Sequence, residues 1–353
     1  MFDSEFVERQ ELVLRAVEAA RATSDPSTIA EVLARTHVAI QVPENIATRL
    51  EMTTEAWDRA REVRDPFVRW LTETVRMNAA LDVGDIAVHD RCFADAVASA
   101  ERLGQPHPLW EARFSASTRA MLHGDSAEAE RFANEGLEFA LKTGEPDALT
   151  IFGVQIVGIR WQQGRLEEIV PLIREAVAQQ PRIPAFRALL AFALANTGAL
   201  DEVRAMIADA RAADFALPYD FAWLSASTVF AECAARVGDR AGARMLFDRL
   251  EPWSAHIANV SLTSWGAVAH YLGLLATCLD EFDVAEGYFA QALDIHVEID
   301  APFFVACTQT ELASMLIRRG DRSDADRVVG LREAALETAR ARGYAGLEQA
   351  LLA

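Results

Sequence analysis

The sequence is poor in positive charge, and above all in lysine. Its 353 residues carry 34 basic side chains against 53 acidic ones, which gives a formal net charge of −19 and a pI near 4.8. Lys142 is the one lysine in the sequence, a bias that we attribute to genome composition. Because phosphate binding requires clustered cations, we expect no nucleic-acid binding by this chain alone.

A leader sequence and long apolar runs are also missing. The first ten residues, MFDSEFVERQ, have neither the basic n-region nor the apolar h-region of a signal peptide. No run of 18 consecutive apolar residues follows, whereas a membrane-spanning helix needs about 20 residues. We therefore expect a cytoplasmic protein that does not bind a membrane.

Cysteine is scarce, and the spacing of the four cysteines indicates neither a metal site nor a redox pair. Cys92, Cys233, Cys278 and Cys307 are far apart, each within a helical pattern. They lack the paired spacing of a zinc site or a redox dithiol. We predict reduced thiols in the core and no metal site.

Motifs that would indicate an enzyme are absent as well. The sequence has no HExxH and no nucleophile elbow, and none of its seven histidines has ligand spacing with another. The segment GLEFALKT at 136–143 approaches a phosphate-binding loop, but Leu141 replaces the second glycine and no strand precedes it. We therefore expect no catalytic residues and no cofactor.

Glycine and proline, by contrast, recur regularly in the sequence, with a period of forty residues. The first set comprises Gly84, Gly124 and Gly164, then Gly198 and Gly238, then Asp280 and Gly320. The second set comprises Pro26, Pro66, Pro106 and Pro146. Proline is tolerated in the first turn of a helix and glycine ends helices. Such a period indicates a repeat array in which each unit buries its apolar face against its neighbours.

The fold predicted from this pattern is all-α: a single right-handed α-solenoid of about eight helical hairpins over 26–342. Residues 1–25 and 343–353 form the predicted N-terminal and C-terminal caps. The hairpin helices are expected at 26–41 and 44–63, 66–82 and 85–103, 107–123 and 126–143, 147–163 and 166–179, 184–197 and 200–214, 219–237 and 240–252, 264–279 and 283–298, and 302–319 and 323–342. The one irregular connection, near 253–264, is either a functional loop or a surface loop without a role, and we favour the latter.

The hairpin pattern resembles the tetratricopeptide repeat. The resemblance is clearest in YLGLLATCLDEFDVAEGYFAQAL at 271–293, where the family spacing is matched by Leu272, Gly273, Phe282, Ala285, Phe289 and Ala292. The forty-residue period exceeds the usual 34 and indicates longer helices.

Four segments narrow this resemblance to one group of proteins. They are RDPFVRWL, FGVQIVGIRWQQGRLEEIVPLI, IPAFRALLAFALANTGALDEVRAMI and VAHYLGLLATCLDEFDVAEGYFAQAL. They are similar to the helical-repeat sensor region of large bacterial ATP-binding regulators, namely maltose-activator-type transcriptional regulators and class III nucleotidyl cyclase/ATPase fusions. The resemblance implies a sensor or scaffold that controls an attached effector, although these 353 residues contain neither the ATPase nor an effector domain.

The same resemblance assigns particular first-helix positions to the concave groove of the array. The predicted groove residues are Phe114, Thr118, Met121, Val154, Trp161, Gln162, Phe192, Asn196, Thr228, Glu232, Arg236, His270 and Thr277. Apolar groups with a few hydrogen-bonding ones suit a small apolar or amphipathic ligand, or a segment of a protein partner. Equally, the helices curl tightly enough for these residues to pack against one another and fill the groove.

Three functional hypotheses follow from the sequence. The first is a non-catalytic regulatory module that binds a ligand or partner in the groove. The second is a self-associating scaffold, a homo-oligomer that brings effector domains together. The third is a small-molecule enzyme that uses His270 with Glu232.

Overall fold

The computed structural model describes residues 4–180 and 183–352, and these are almost entirely helical. The predicted all-α class is therefore confirmed. Residues 1–3 and 353 of the predicted caps lie outside the described residues, as do 181 and 182 between two predicted helices.

Eighteen α-helices lie in the described part of the chain. They are α1 (Ser4–Thr23), α2 (Pro26–Thr36), α3 (Ile46–Ala60), α4 (Pro66–Asp82), α5 (Ile86–Leu103), α6 (Pro106–Leu122), α7 (Ser126–Thr143), α8 (Ala148–Gln163), α9 (Val170–Gln179), α10 (Pro184–Asn196), α11 (Leu200–Ala212), α12 (Trp223–Val237), α13 (Arg240–Leu250), α14 (Val268–Cys278), α15 (Phe282–Glu298), α16 (Pro302–Arg319), α17 (Ala325–Arg342) and α18 (Ala345–Leu352). Most bounds differ from the predicted ones by only a few residues.

The helix ends explain why glycine and acidic residues recur together. Asp85 and Asp125 are N-caps whose carboxylates accept the backbone N–H of Val88 at 3.1 Å and of Glu128 at 2.9 Å. Gly238 follows the last residue of α12 in the left-handed conformation, with φ 72°, and Asp239 is the N-cap of α13. A short Gly-Asp connection can therefore end one helix and start the next, which folds the chain back on itself.

Most consecutive helices pack on each other, whereas α8 and α9 make few contacts and are joined through the short 3-10 turn Leu166–Glu168. The most extensive contacts join α4 to α5, α6 to α7, α14 to α15 and α16 to α17. The even-numbered helices α10, α12, α14 and α16 also contact one another in chain order. These even-numbered helices form an inner layer, and they supply most of the candidate site.

The segment 251–267 departs from the prediction. After a short 3-10 turn, strands β1 (Ile257–Asn259) and β2 (Ser264–Ala267) pair in an antiparallel hairpin. Every residue of the two strands is buried, so the surface-loop interpretation that we favoured is wrong. The helix predicted from 264 begins only at Val268.

This inserted hairpin, residues 257–267, is held by polar contacts to distant helices. The Thr118 hydroxyl donates to the Leu262 carbonyl at 2.8 Å, and the Asn259 amide donates to the Asp82 carboxylate at 3.2 Å. Asp82 also accepts from Arg49 at 2.7 Å, and both side chains of this pair are over nine-tenths buried. The hairpin thus fills interior space that a surface loop would have left open.

Contacts between distant parts of the chain close the array on itself. Arg9 of α1 donates to the Tyr219 carbonyl at 2.8 Å, and His123 lies 2.8 Å from the Asp300 carboxylate. One buried apolar cluster joins five separate segments and comprises Leu81, Leu122, Ile257, Ile299, Ala301, Phe303, Phe304, Ala339 and Tyr344.

The C-terminal helix α18 folds back over α8. Its anchor is Tyr344, which is fully buried and donates from its hydroxyl to the Gly124 carbonyl at 3.0 Å. Gly164 and Gly346 approach so closely that a Cβ on Gly164 would lie 2.3 Å from the Gly346 nitrogen. Within the described residues, no helix combines the length and apolarity needed to cross a membrane.

Candidate functional site

A partly open cavity of about 360 Å³ is bounded by α8, α10, α12, α14, α16 and α18. Its walls consist of Trp161, Gly164, Leu166, Glu167, Asn196, Glu232, Arg236, His270, Leu274, Phe303, Cys307, Thr310, Glu311, Gly346, Leu347, Gln349 and Ala350. The first helices of successive predicted hairpins supply most of the wall, and α18 covers part of it. The size falls within the roughly 300–1,000 Å³ of small-molecule sites.

Five of the thirteen predicted groove residues line this cavity. They are Trp161, Asn196, Glu232, Arg236 and His270. Together they supply an aromatic wall, one amide, one imidazole and an ion pair.

Three further groove residues pack near or against the inserted hairpin instead of lining the cavity. Thr118 bonds to Leu262, and the Met121 sulfur lies 3.6 Å from the Thr263 hydroxyl. Phe192 is fully buried and packs edge-on against Trp265, with ring centroids 5.1 Å apart. Here the interior is filled by the protein's own chain.

The remaining five groove residues lie outside the cavity wall. Phe114 packs edge-on against Trp110, and the Gln162 amide donates to the Met121 carbonyl at 2.7 Å. Thr228 and Thr277 donate to carbonyls of their own helices. Val154 is half-buried on α8.

The aromatic wall of the cavity is anchored by Trp161. Its ring packs edge-on against Phe303, with centroids 4.8 Å apart, and against Phe192 at 5.0 Å. Trp265 stacks on it with centroids 5.9 Å apart, and Phe304 packs edge-on at 5.9 Å. Trp161 therefore stands at the boundary between the filled interior and the cavity, held by rings on several sides.

The charged wall is formed by Glu232, Arg236 and Glu311. Arg236 donates from Nε to Glu232 Oε1 at 2.8 Å. The Glu232 side chain is only 3% exposed, and its second oxygen, Oε2, has no hydrogen-bond partner among the described residues. Burial raises the pKa of Glu311; the Arg236 guanidinium opposes this shift and the Glu232 carboxylate adds to it. The cavity thus holds one cation facing two carboxylates on neighbouring helices.

Behind the charged wall, His270 belongs to a buried hydrogen-bonded chain. His270 Nδ1 lies 2.9 Å from the Thr308 hydroxyl oxygen, which lies 3.2 Å from His296 Nδ1. His296 Nε2 accepts the Ala267 N–H at 2.8 Å, and the Thr308 hydroxyl donates to the Phe304 carbonyl at 2.8 Å.

These contacts assign the protonation of both rings. Burial lowers the pKa of His270 to about 3, with Arg236 adding to the shift, and lowers the pKa of His296 well below its usual value, with His270 adding to it. Both imidazoles are therefore neutral at pH 7. Since Thr308 donates its hydrogen to Phe304, each Nδ1–H donates to Thr308. The Nε2 of His270 is then unprotonated. It is an acceptor that takes no part in the hydrogen bonds to Thr308.

The cavity thiol is unreactive. Cys307 is half-buried on α16, and burial raises its pKa well above the usual value, with Glu232 and Glu311 contributing. A thiol must ionise to act as a nucleophile or bind a metal. Cys92, Cys233 and Cys278 are buried, as predicted for core thiols. No group of three or more His, Cys, Asp or Glu residues in the described ranges could hold a metal ion.

The sequence analysis missed two parts of the cavity wall, namely the residues of α16 and those of α18. Phe303, Cys307 and Glu311 occur at intervals of four, which places them on one face of a helix. Continuing the groove register one hairpin beyond Thr277 would have found this face. The contribution of Gly346 to Ala350 depends on a long-range contact and has no local signal.

Comparison with protein-family models finds no matching family, and comparison with curated proteins finds no significant match.

Proposed function

We propose that the hairpins form a right-handed α-solenoid of eight TPR-like units and that the chain is a cytoplasmic regulatory module. This proposal draws on the forty-residue period and on the ordered contacts among the even-numbered helices. The resemblance to the sensor region of bacterial ATP-binding regulators supplies the regulatory role: signal transduction that ends in transcription regulation or nucleotidyl cyclisation.

The module acts, in this proposal, as a non-catalytic sensor that binds a small amphipathic ligand in the interior cavity. The observation that carries it is the buried Glu232 carboxylate, whose Oε2 has no protein partner beside an aromatic-walled cavity. A buried polar group without a partner costs free energy. A ligand that pairs with this oxygen recovers that cost on binding.

A small ligand suits this cavity better than an extended partner segment. The inserted hairpin occupies the interior near α4 and α6, and α18 covers the wall at Gly346 to Ala350. What remains is a chamber of about 360 Å³. An extended peptide needs a continuous open groove, whereas a chamber of this size suits a metabolite.

The enzyme hypothesis draws little support from the same residues. Burial keeps the Cys307 thiol protonated. The imidazole of His270 is also a poor general base, since a base with a pKa of about 3 removes protons weakly at neutral pH. We therefore propose no catalytic residues.

Native mass spectrometry of protein purified from its own host tests the sensor proposal. We expect a small mass that stays bound in native spray and is released on denaturation. The Trp161→Ala variant should lose this mass while keeping its helicity. Trp57→Ala is the matched control, because Trp57 packs under Arg61 at 4.1 Å and lies away from the cavity. A wild-type protein that carries no ligand would contradict the proposal.

A second candidate function, self-association, is favoured by the exposed apolar residues of α1. Val7, Leu12 and Leu14 are 44%, 56% and 49% exposed, and exposed apolar patches mark interaction surfaces. A scaffold would sediment as an oligomer at micromolar concentration. A monomer independent of concentration would count against it.

A further inference from the structure

We infer that the ligand of the cavity is an organic cation, a primary amine or guanidine with an apolar body. This inference rests on the proposed sensor function and adds the chemical class of its ligand. The groups that carry it are Glu232, Glu311 and His270 on the polar side, and Trp161 and Phe303 on the apolar side.

The charge of the cavity wall is negative. Three carboxyl groups, Glu167, Glu232 and Glu311, and one guanidinium, Arg236, line the cavity, with Glu167 at its exposed edge. With His270 neutral and the three carboxyl groups ionised, one positive and three negative charges leave a formal charge of −2. Burial raises the pKa of Glu311, and a cation beside it favours the ionised form. A cationic ligand lowers this imbalance, whereas an anionic ligand increases it in a partly desolvated chamber where charges interact strongly.

The position of the missing partner is set by the existing ion pair. Arg236 binds one oxygen of Glu232 and leaves Oε2 unpaired in a side chain that is 3% exposed. Burying a carboxylate costs free energy, and that cost is repaid less fully when one of the two oxygens has no hydrogen-bond donor. The group that completes it must be a donor, and a positively charged donor forms the stronger bond.

The imidazole beside the carboxylates requires the same kind of partner. His270 Nδ1 donates to the Thr308 hydroxyl, which also accepts from His296 Nδ1, so the acceptor Nε2 of His270 is available to the cavity that His270 lines. An ammonium has three donors and a guanidinium has five. Either can donate to more than one of the acceptors that line this cavity, whereas a hydroxyl has one hydrogen to donate.

The apolar side of the chamber suits the body of such a ligand. Trp161 and Phe303 present packed rings, and Leu274 and Leu347 line the same space. A cation near an aromatic face gains further attraction from the ring quadrupole. A ligand with one charged end and an aryl or short alkyl body therefore matches both sides.

Three probe compounds of similar size and shape separate the effect of charge from that of the apolar body. They are 2-phenylethylamine, a cation; 2-phenylethanol, its neutral counterpart; and 3-phenylpropionate, an anion. We expect the amine to bind the wild-type protein about ten- to a hundredfold more tightly than the alcohol, as expected for a hydrogen bond to a charged group. Binding is measured by calorimetric titration and by ligand-observed NMR.

Charge-removing variants identify the residues responsible. Glu232→Gln and Glu311→Gln should each lower the preference for the amine to within a fewfold of the alcohol. Glu333→Gln removes one carboxylate from the exposed outer surface of α17 and should leave the preference unchanged. Helical circular dichroism and thermal unfolding show whether each variant is folded, and Glu311→Gln keeps the test valid if Glu232→Gln is not.

The outcomes distinguish the ligand class from the proposed function. Equal or tighter binding of the alcohol or the anion, or no binding of the amine at millimolar concentration, overturns the cation assignment. A neutral or anionic compound released from host-purified protein overturns it too, yet supports the sensor function. Preference for the amine that survives both glutamate variants also contradicts it. Protein that carries no ligand and binds none of the probes removes both proposals.

Discussion

The interior of this protein has two regions that differ in what occupies the space between the helices. Beside α4 and α6, the inserted hairpin fills most of the space: Asp82 pairs with Arg49 and Asn259, and Thr118 pairs with Leu262. A few nitrogens of Arg49 and His256 stay without partners there among the described residues. Beside α12, α14 and α16, the space is a cavity, and Glu232 Oε2 has no partner. The first region stabilises the fold at the expense of the groove, and the second leaves a site for another molecule.

This difference teaches how to separate structural from binding residues in a helical array. A polar side chain inside the array is structural when the chain itself satisfies it. It is a binding candidate when it is equally buried, faces empty space and lacks a partner. Substitutions on the two sides should therefore differ, with large losses of stability in the filled region and small ones in the cavity.

The largest loss of stability is expected from Asp82→Ala, which removes the buried ion pair with Arg49 beside the inserted hairpin. Removing this carboxylate leaves the Arg49 guanidinium, whose side chain is 3% exposed, as an unpaired buried charge. We expect the free energy of unfolding to fall by about 3–5 kcal/mol, measured by urea denaturation.

The matched control for this substitution is Asp201→Ala. Asp201 is also paired with an arginine, Arg204, but its side chain is 99% exposed, so the expected change is about 0–1 kcal/mol. Equal losses in the two variants would mean that the inserted hairpin does not depend on the buried pair.

Mild acid should remove the contribution of His270 to the stability of the fold. His270 has a folded pKa of about 3 against an ordinary 6.5, so below pH 6.5 the unfolded chain binds a proton that the folded chain excludes. The contribution of this residue to the free energy of unfolding should therefore fall as pH decreases from about 6.5 toward about 5, and stay level above it. Burial raises the pKa of Glu111 to about 7, which acts in the opposite direction, so the test compares wild type with a His270 variant. Urea titrations across this interval measure the slope.

Two variants sharpen the test of this slope. His270→Gln should reduce it, whereas Glu333→Gln, which changes an exposed carboxylate on α17, should not. A slope unaffected by His270→Gln would show that this buried imidazole is not the source.

A smaller effect is expected where α18 covers the cavity. Gly164→Ala and Gly144→Ala both place a Cβ on a left-handed residue, with φ 69° and 78°, at a cost of about 1–2 kcal/mol. Only at Gly164 does the new Cβ collide with the chain, 2.3 Å from the Gly346 nitrogen, while nothing lies within 4 Å at Gly144.

We therefore expect Gly164→Ala alone to detach the C-terminal helix. Hydrogen exchange should increase across Ala345–Leu352 in this variant and stay at the wild-type level in Gly144→Ala. Equal protection of this segment in both variants would contradict the close contact between α8 and α18.

The smallest effect on stability is expected from Glu232→Gln on the cavity side. The Arg236 side chain that it pairs with is 37% exposed and is solvated when the pair is lost, so we expect a change below about 1 kcal/mol. Thermal and urea unfolding measure it. A loss as large as that of Asp82→Ala would make Glu232 a structural residue and remove the contrast between the two regions.

The helices were predictable from the sequence because their signals are local. Asp85 and Asp125 cap the helices that they precede, and Gly164 ends α8 with the left-handed conformation that its position requires. The same register brought Trp161, Asn196, Glu232, Arg236 and His270 to the cavity, since side chains at corresponding helix positions share a face.

The filling of the groove was not predictable in this way. Thr118, Met121 and Phe192 have the same register as the cavity residues, but they lie close to or against the inserted hairpin. The hairpin's position depends on Asp82 and Thr118, which are far away in sequence. The cover of α18 depends likewise on Tyr344 reaching Gly124, a contact across 220 residues.

The most direct test of the central claim is a crystal structure of the protein purified from its own host, with no ligand added. We predict density for a small molecule in the cavity, with a donor within hydrogen-bond distance of Glu232 Oε2 and an apolar part against Trp161 and Phe303. A cavity that holds only water at Glu232, or that is closed by movement of α18 or α16, would contradict the claim that this region is kept open for a ligand.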